Sequence, residues 1–461
     1  MADVVIVGGG PGGYTAAGRL RALGKTVTIV ERGEFGGVCL NEGCIPSKCL
    51  LNSAKLYAHA RESAKFGVTV EGARFDLGVA RSWKREVVGR LKGSLAALMA
   101  RLGVEVVAGE ASFVSDRAVR VGDRMLEADD IVIATGSRFA PLPVPGVDGP
   151  NVIWSREMLE LGDLPKRVAI VGAGAVGLEA ASFFSAVGVE VHVVEMLPEI
   201  APFMDGSLAS AMRRAMKQVT FHLGSRVEAI EPGGVVCSRD GVRETVASDL
   251  VLVCTGRAPN VEGLGLERLG VETGRAGIRV DAHGRTNLPH VWAVGDVNGV
   301  SLFAHSAARM GEVAADAIVH GGEASRHGAG ERFRVQAIPW ALFGVPEAAG
   351  CGLTEDEAKR QGIPVRTAMV PMRSIGRFLA EHGDAPGVVK AVVAKDDGRV
   401  LGVHLLGDGC AEMIWGVAAL LEMELRAKDV REIVFPHPTV SEGIRDAIAA
   451  ASAAGAAGGN A

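Results

Sequence analysis

The stretch "DVVIVGGGPGGYTAAGRLRALGKTVTIVER", Asp3 to Arg32, decides the fold. It opens on an apolar run, Val4 to Val7, that reads as a buried strand. A glycine-rich turn, a helix and a second strand ending at Glu31 follow. Gly8, Gly10 and Gly13 fit G-x-G-x-x-G, a pattern in which the first glycine allows the tight turn, the second lets a pyrophosphate approach the backbone, and the third lets helix pack closely on strand. A helix that begins there offers amide donors and a positive dipole end to phosphate. The acidic side chain closing the second strand can accept hydrogen bonds from ribose hydroxyls. The device recurs in "RVAIVGAGAVGLEAASFFSAVGVEVHVVEM", with Gly172, Gly174 and Gly177 followed by Glu195. The interval from first glycine to terminal glutamate is 23 residues in both copies, 8 to 31 and 172 to 195. One such fingerprint is weak; two in register imply an α/β chain with two Rossmann-like dinucleotide-binding domains. Glu195 would repel a 2′-phosphate, and the "MLPEI" after it holds no Arg, so the second site favours NAD(H) over NADP(H).

At 461 residues the chain exceeds one core, and two to four domains are expected. It is 48% hydrophobic and 22% charged, with a net charge of -5, which gives no support to a nucleic-acid surface. No apolar run of 18 residues occurs, so no membrane span is expected. The start "MADVVIVGGG" passes straight into a strand without the basic and apolar regions of a signal peptide, and the default expectation is a cytoplasmic protein. Seven cysteines, at 39, 44, 49, 237, 254, 351 and 410, are an odd and scattered set, unlike a secreted disulfide framework. Under cytosolic reduction any disulfide would be catalytic.

That focuses interest on "GGVCLNEGCIPSK", Gly36 to Lys48, where Cys39 and Cys44 stand five residues apart in what reads as the start of a helix. In a regular helix positions so spaced lie roughly 8–9 Å apart, beyond the usual ~7 Å Cα limit of a disulfide. Gly43 offers backbone freedom and Pro46 lacks the amide proton a regular helix would use. Buried small residues, metal ligands and a redox pair all remain open on the spacing alone. Zinc lacks a second nearby Cys/His pair, and no metal site is expected. Glu42 reads most simply as a solvated turn residue, and Cys49 and Cys410 as packed ones.

Two dinucleotide fingerprints with a thiol pair after the first resemble the flavoprotein disulfide reductases, and the resemblance covers nearly the whole chain. "GGVCLNEGCIPSK" is similar to that family's redox-active disulfide motif. "ATGS" (Ala134 to Ser137), "TGRAPN" (Thr255 to Asn260) and "VWAVGDV" (Val291 to Val297) resemble its flavin-contacting and junction segments, and "FPHPTVSE" (Phe435 to Glu442) its carboxy-terminal His-Glu motif. Within the family, "VVEMLPEI" and "NSAKLYAHARESAKFGV" resemble the members that oxidise dihydrolipoyl groups with NAD⁺.

The resemblance implies FAD in the first fold, NAD in the second, and a homodimer whose carboxy-terminal domain completes the partner's active site. It implies a substrate that is a small dithiol or disulfide or a lipoyl-carrying protein. On it, Cys39 and Cys44 form the disulfide, Cys44 facing the flavin and Cys39 exchanging with substrate. His437 would move the proton and Glu442 would orient it. Lys48 would stand by the reactive flavin nitrogen with Glu179 as its ion-pair partner. The expected FAD contacts are Gly8, Gly10, Gly13, Glu31, Lys48, Ala134, Thr135, Gly136, Asp296 and Ala304; Gly172, Gly174, Gly177, Glu195 and Gly256 complete the cofactor set. Trp340, Phe343 and Val345 depart from the Tyr/Thr-His-Pro-Glu arrangement common in the dihydrolipoyl-oxidising members. No cysteine pair sits in the tail, unlike mercuric reductase and the larger thioredoxin reductases.

Composition divides the chain. "FAPLPVPGVDGPNV" (Phe139 to Val152) is a Pro/Gly connector, so a FAD-binding part is expected over 1–150, an NAD-binding domain over 151–274 and a return to the flavin domain over 275–335. "GVVKAVVAKDDGRVLGVHLLG" patterns as a hairpin and "AEMIWGVAALLEMEL" as a helix, which predicts a C-terminal α+β dimerisation domain over 336–450. The Ala/Gly-rich end, 451–461, is expected to be a loose tail.

Overall fold

The structure is a computed structural model that describes residues 2–321 and 332–453. Most of the expected tail, from 454 onward, lies outside the described residues. By compactness the chain falls into two units: Met1–Leu50 with Gly78–Pro141 and Gly256–Val335, and Leu51–Leu77 with Leu142–Thr255 and Gln336–Ala461.

In the first unit a seven-stranded sheet runs in the order Glu105–Ala108, Val27–Glu31, Ala2–Val7, Arg124–Ile133, Ala118–Val121, Ala111–Ser115, with Val291–Ala293 also beside Arg124–Ile133. Its centre is parallel: Ile6 pairs with Ile29 on one side and with Val132 on the other. Parallel strands are covered on both faces, so they read as continuous apolar runs. Val4, Ile6, Ile29 and Ile131 are accordingly sealed from solvent. The helix Pro11–Ala22 starts on proline, whose missing N–H would have had no helical partner, and it buries Ala16, Ala17 and Leu20. The chain rejoins this unit at Gly256, earlier than the change of fold expected near Gly274. The reason is local: Arg257–Pro259 pairs antiparallel with Ser137–Phe139.

The second unit repeats the device in a five-stranded parallel sheet ordered Val219–Leu223, Glu190–Glu195, Arg167–Val171, Leu250–Val253, Val152–Trp154. Beside it, Arg226–Glu231, Gly234–Arg239 and Val242–Ala247 form a small antiparallel sheet. The C-terminal part builds a second five-stranded sheet around the expected hairpin, Val388–Ala394 against Val400–Leu406. The helices Cys410–Glu422 and Glu442–Ala453 contribute Ile414, Val417, Ile444 and Ile448 to a core shared with Val389, Ala391 and Val403. A buried ion pair joins the two parts: Lys390 of the hairpin donates to both Asp205 oxygens at 2.9 and 2.8 Å, and Asp205 also caps Gly206–Ala215 by accepting from the Ser207 N–H at 3.0 Å.

Candidate active site

The two fingerprints are built alike. Gly8 and Gly172 adopt φ of +112° and +105°, the region glycine favours, where a Cβ would lie 2.2 Å from the Ala134 carbonyl oxygen and 2.5 Å from that of Cys254. At Gly13 and Gly177 a Cβ would fall 2.0 Å from the carbonyl oxygens of Gly8 and Gly172, so these positions set the approach of helix to strand. The middle glycines behave differently: a Cβ would meet nothing within 4 Å at Gly174, and only the Gly37 Cα at 3.7 Å at Gly10. Glycine there keeps open a space in front of a helix start that carries no side-chain cap, which is the cradle a pyrophosphate needs. Glu31 and Glu195 also match. One carboxylate oxygen accepts the N–H of Gly9 or Ala173 at 2.7 Å, and the other that of Gly33 or Leu197 at 2.8 Å. The donor set and the open cradles fit one dinucleotide in each fold.

Further residues expected on the flavin side lie in the first unit. Thr135 and Asn260 exchange hydrogen bonds, the Thr135 hydroxyl donating to the Asn260 carbonyl at 2.8 Å and the Asn260 amide to the Thr135 carbonyl at 2.9 Å. Ser137 donates to Asp296, and Arg257 donates to the Ser137 hydroxyl at 2.6 Å and carbonyl at 2.7 Å. Asp296 lies in the single turn Gly295–Asn298, and Ala304 opens the long helix Ala304–His320. Gly136 and Gly256 both have positive φ.

Cys39 and Cys44 are joined in a disulfide with Cα atoms 4.6 Å apart. The distance is reached because the helix is broken: Gly37–Glu42 ends on Gly43, at φ −137° and ψ −109°, and a new helix, Cys44–Glu62, starts at the second cysteine. Pro46 falls in the first turn of that new helix, where its missing N–H costs nothing. Glu42 is therefore the last residue of a short helix and half-buried, where a solvated turn residue was expected. The segment is tied to the phosphate loop, since the Gly36 N–H donates to the Gly9 carbonyl at 2.9 Å and a Cβ on Gly37 would lie 2.7 Å from the Gly10 Cα. Asn41 fastens the short helix by donating to the Gly37 carbonyl at 2.9 Å. Lys48 stands four positions after Cys44, on the same helix face.

In the second unit His437 precedes a cis proline, and its Nδ1 lies 3.1 Å from both Glu442 oxygens. The Thr439 N–H donates to Glu442 at 3.0 Å. That hydrogen bond first, and the one from His437 next, hold the Glu442 carboxyl below its usual value. The carboxylate side chain is 15% exposed and the imidazole 79%, so the histidine is oriented from behind and open in front. Glu179, on the second fingerprint helix, accepts the Phe343 N–H at 3.1 Å, and Ser182 one turn on accepts that of Val345 at 3.0 Å. Phe343 and Val345, two of the expected departures, are thereby held on that helix. Asn41, Ser182 and Thr439 escaped the sequence reading; an amide four residues after a helix start, and hydroxyls next to expected site residues, were the available signals.

The remaining thiols are inert by comparison. Burial pushes Cys237 up to about 11 and Cys351 to about 12, and raises Cys410 well above its ordinary value. Burial also raises Cys49.

Two dinucleotide cradles, with a cysteine pair fastened to the first, define a flavin- and nicotinamide-linked disulfide oxidoreductase. Residues 2–311 match the pyridine nucleotide-disulphide oxidoreductase model, and 338–448 the dimerisation domain of the same family. The chain belongs to this family, is an oxidoreductase and a flavoprotein, and uses FAD and NAD(H). It is 36% identical to a dihydrolipoyl dehydrogenase of Zymomonas mobilis over 97% of both chains, and 37% identical to that of Geobacillus stearothermophilus over 95% of this chain and 94% of the other. Among solved structures it is similar to the HOCl-induced flavoprotein disulfide reductase RclA from Escherichia coli, with TM-score 0.83, 27% identity, and coverage of 97% and 99%. Among the described residues no helix is long and apolar enough to cross a membrane.

Proposed function

We propose that the chain is a dihydrolipoyl dehydrogenase, oxidising a dihydrolipoyl dithiol and delivering the electron pair to NAD⁺. The observation that carries this reading is that a chain similar to dihydrolipoyl dehydrogenases over nearly its full length joins Cys39 to Cys44 in a disulfide and sets His437 against Glu442. FAD held in the first fold would supply two-electron transfer chemistry, and NAD⁺ held in the second a hydride acceptor. The protein's own part is thiol exchange. A substrate thiolate attacks the Cys39 sulfur and the Cys39–Cys44 bond breaks, with Cys44 leaving as thiolate. The second substrate thiol loses its proton to His437 of the partner subunit and expels Cys39, so one dithiol becomes a disulfide and the cysteine pair is reduced. Glu442 fixes the imidazole and stabilises its protonated form. Lys48, on the face of Cys44, would hold positive charge beside the flavin.

A homodimer suits this assignment of His437, and the match to a dimerisation domain supports it. So do Trp415, Met423 and Val434, large apolar side chains left 73%, 72% and 91% exposed in the single chain. Glu195 supports NAD(H) at the second site. The odd set of reduced thiols suits a cytoplasmic location.

Reduction of a different small or protein disulfide by NAD(P)H is the second reading. It is favoured by the departures at Trp340, Phe343 and Val345, of which Phe343 and Val345 donate backbone N–H groups to the helix of Glu179, and by the likeness to RclA. A substrate panel separates the two: NADH formation from dihydrolipoamide and NAD⁺ against NADH- or NADPH-driven reduction of glutathione disulfide and other low-molecular-weight disulfides. Turnover with dihydrolipoamide at least tenfold above any other thiol supports the first reading. Failure with dihydrolipoamide alongside turnover of another disulfide replaces it with the second.

A further inference from the structure

Outside the redox site, four side chains form a chain: Glu190, His192 and His222 of the nucleotide-binding sheet, and Glu244 of the small antiparallel sheet beside it. His192 Nε2 lies 3.0 Å from Glu190 Oε1, His192 Nδ1 lies 3.1 Å from His222 Nε2, and His222 Nδ1 lies 3.3 Å from Glu244 Oε1. The two rings sit on adjacent parallel strands, with their side chains each 20% exposed and therefore reachable from solvent.

A count of hydrogens shows what is missing. A carboxylate only accepts, so each outer ring nitrogen must carry the N–H that points at its glutamate. A neutral imidazole has one N–H, so both inner nitrogens then present lone pairs to each other across 3.1 Å. Something positive belongs between them. The outer contacts already have the form found around metal-bound histidines, whose second nitrogen donates to a carboxylate that fixes tautomer and ring orientation. With metal–nitrogen bonds of about 2.0–2.1 Å, two nitrogens at that separation subtend about 100° at a shared ion, between square-planar and tetrahedral angles.

We propose that His192 Nδ1 and His222 Nε2 bind one divalent transition-metal ion of the imidazole-preferring class. Glu190 and Glu244 position the ligands, and water completes the coordination. Among the described residues no three His, Cys, Asp or Glu side chains converge on a common point, so the site is an open two-imidazole one. Cys237 does not compete as a thiolate: its sulfur donates to Glu244 at 3.8 Å and the thiol is pushed up to about 11. A bound ion would staple the strand Glu190–Glu195 to the edge strand Val219–Leu223 and, through Glu244, to the small antiparallel sheet.

The test uses untagged, flavin-loaded, oxidised protein, in which Cys39 and Cys44 are blocked as a disulfide, titrated with Ni²⁺ in a calorimeter. One ion per chain is expected. His192→Gln and His222→Gln should each weaken it at least tenfold, and Glu190→Gln or Glu244→Gln by roughly 10-fold or more. Ni²⁺ should raise the Tm of the wild type and leave that of the His192→Gln/His222→Gln double variant unchanged. If the wild type and the double variant, both retaining FAD, take up Ni²⁺ equally or not at all, the proposal is wrong and the inner nitrogens share only a proton. Variants that lose FAD are replaced by the surface glutamate substitutions, for which unchanged Ni²⁺ affinity would equally count against it.

Discussion

Alanine at two glycines three positions apart should have opposite consequences, because one glycine spares a clash and the other spares a ligand. At Gly177 the added Cβ would sit 2.0 Å from the Gly172 carbonyl oxygen, which is backbone and has no flexible way to yield. An ordinary contact needs roughly 3.4 Å or more, so helix Ala175–Ala186 must move off its strand by over an ångström. Overpacking of this kind costs about 1–3 kcal/mol. At Gly174 the Cβ meets nothing within 4 Å, so folding should be almost unaffected. The methyl group would instead occupy the space a pyrophosphate must enter. Losing one or two hydrogen bonds to a charged group, about 1.5–3 kcal/mol each, weakens NADH binding by about 10- to 100-fold or more. The assay pairs urea unfolding with NADH titration, and flavin content serves as the internal control because the first fingerprint is untouched. Gly174→Ala binding NADH like the wild type, or Gly177→Ala unfolding at the wild-type midpoint, would refute the assignment of glycine roles.

The buried pair offers a pH test. Lys390→Met should destabilise the second unit by about 3–5 kcal/mol at pH 7, because it strands the Asp205 carboxylate, which is only 1% exposed. Burial pushes the Asp205 carboxyl up, but hydrogen bonds from Lys390 and Ser207 outweigh it and hold the group below its usual value. In the wild type that contribution is present above the ordinary carboxylate range and fades as pH falls through the lowered value. Without Lys390 the burial dominates and Asp205 binds a proton at higher pH, so the deficit should shrink from pH 7 towards pH 5; a constant deficit in denaturation across that range contradicts the account. His437→Gln should lower dihydrolipoamide oxidation by about 10²–10⁴-fold while leaving NADH-driven dye reduction, which needs no thiol proton transfer, within about twofold. Cys410→Ser should lower the midpoint of unfolding without changing turnover, since it puts a hydroxyl into a sealed apolar core.

Much of the α/β architecture was legible because its determinants are local. The glycine spacing, the Pro at a helix start and the glutamate closing each second strand all act within one strand-turn-helix unit, and both copies fold alike. The C-terminal hairpin was readable for the same reason, with an apolar run on either side of "DDG". The disulfide was half-legible: a regular helix forbids it, and the break at Gly43 that permits it could be stated only as a condition. What stayed hidden depends on contacts distant in sequence. The return to the first unit at Gly256 rests on a short strand pairing with Ser137–Phe139, and neither three-residue segment is long enough to show a period. The Asp205–Lys390 pair spans 185 residues, and each member looks alone like an ordinary surface charge. Thr439 and Ser182 act through backbone amides whose direction no side-chain pattern reports.

The measurement that bears most directly on the proposed reaction is steady-state NADH formation from dihydrolipoamide and NAD⁺ by flavin-loaded wild type and Cys44→Ser. The account predicts robust turnover in the wild type and its loss in the variant, with NADH-driven dye reduction surviving in both. Equal dihydrolipoamide oxidation by wild type and Cys44→Ser would contradict it, because the electrons would then reach NAD⁺ without the Cys39–Cys44 pair.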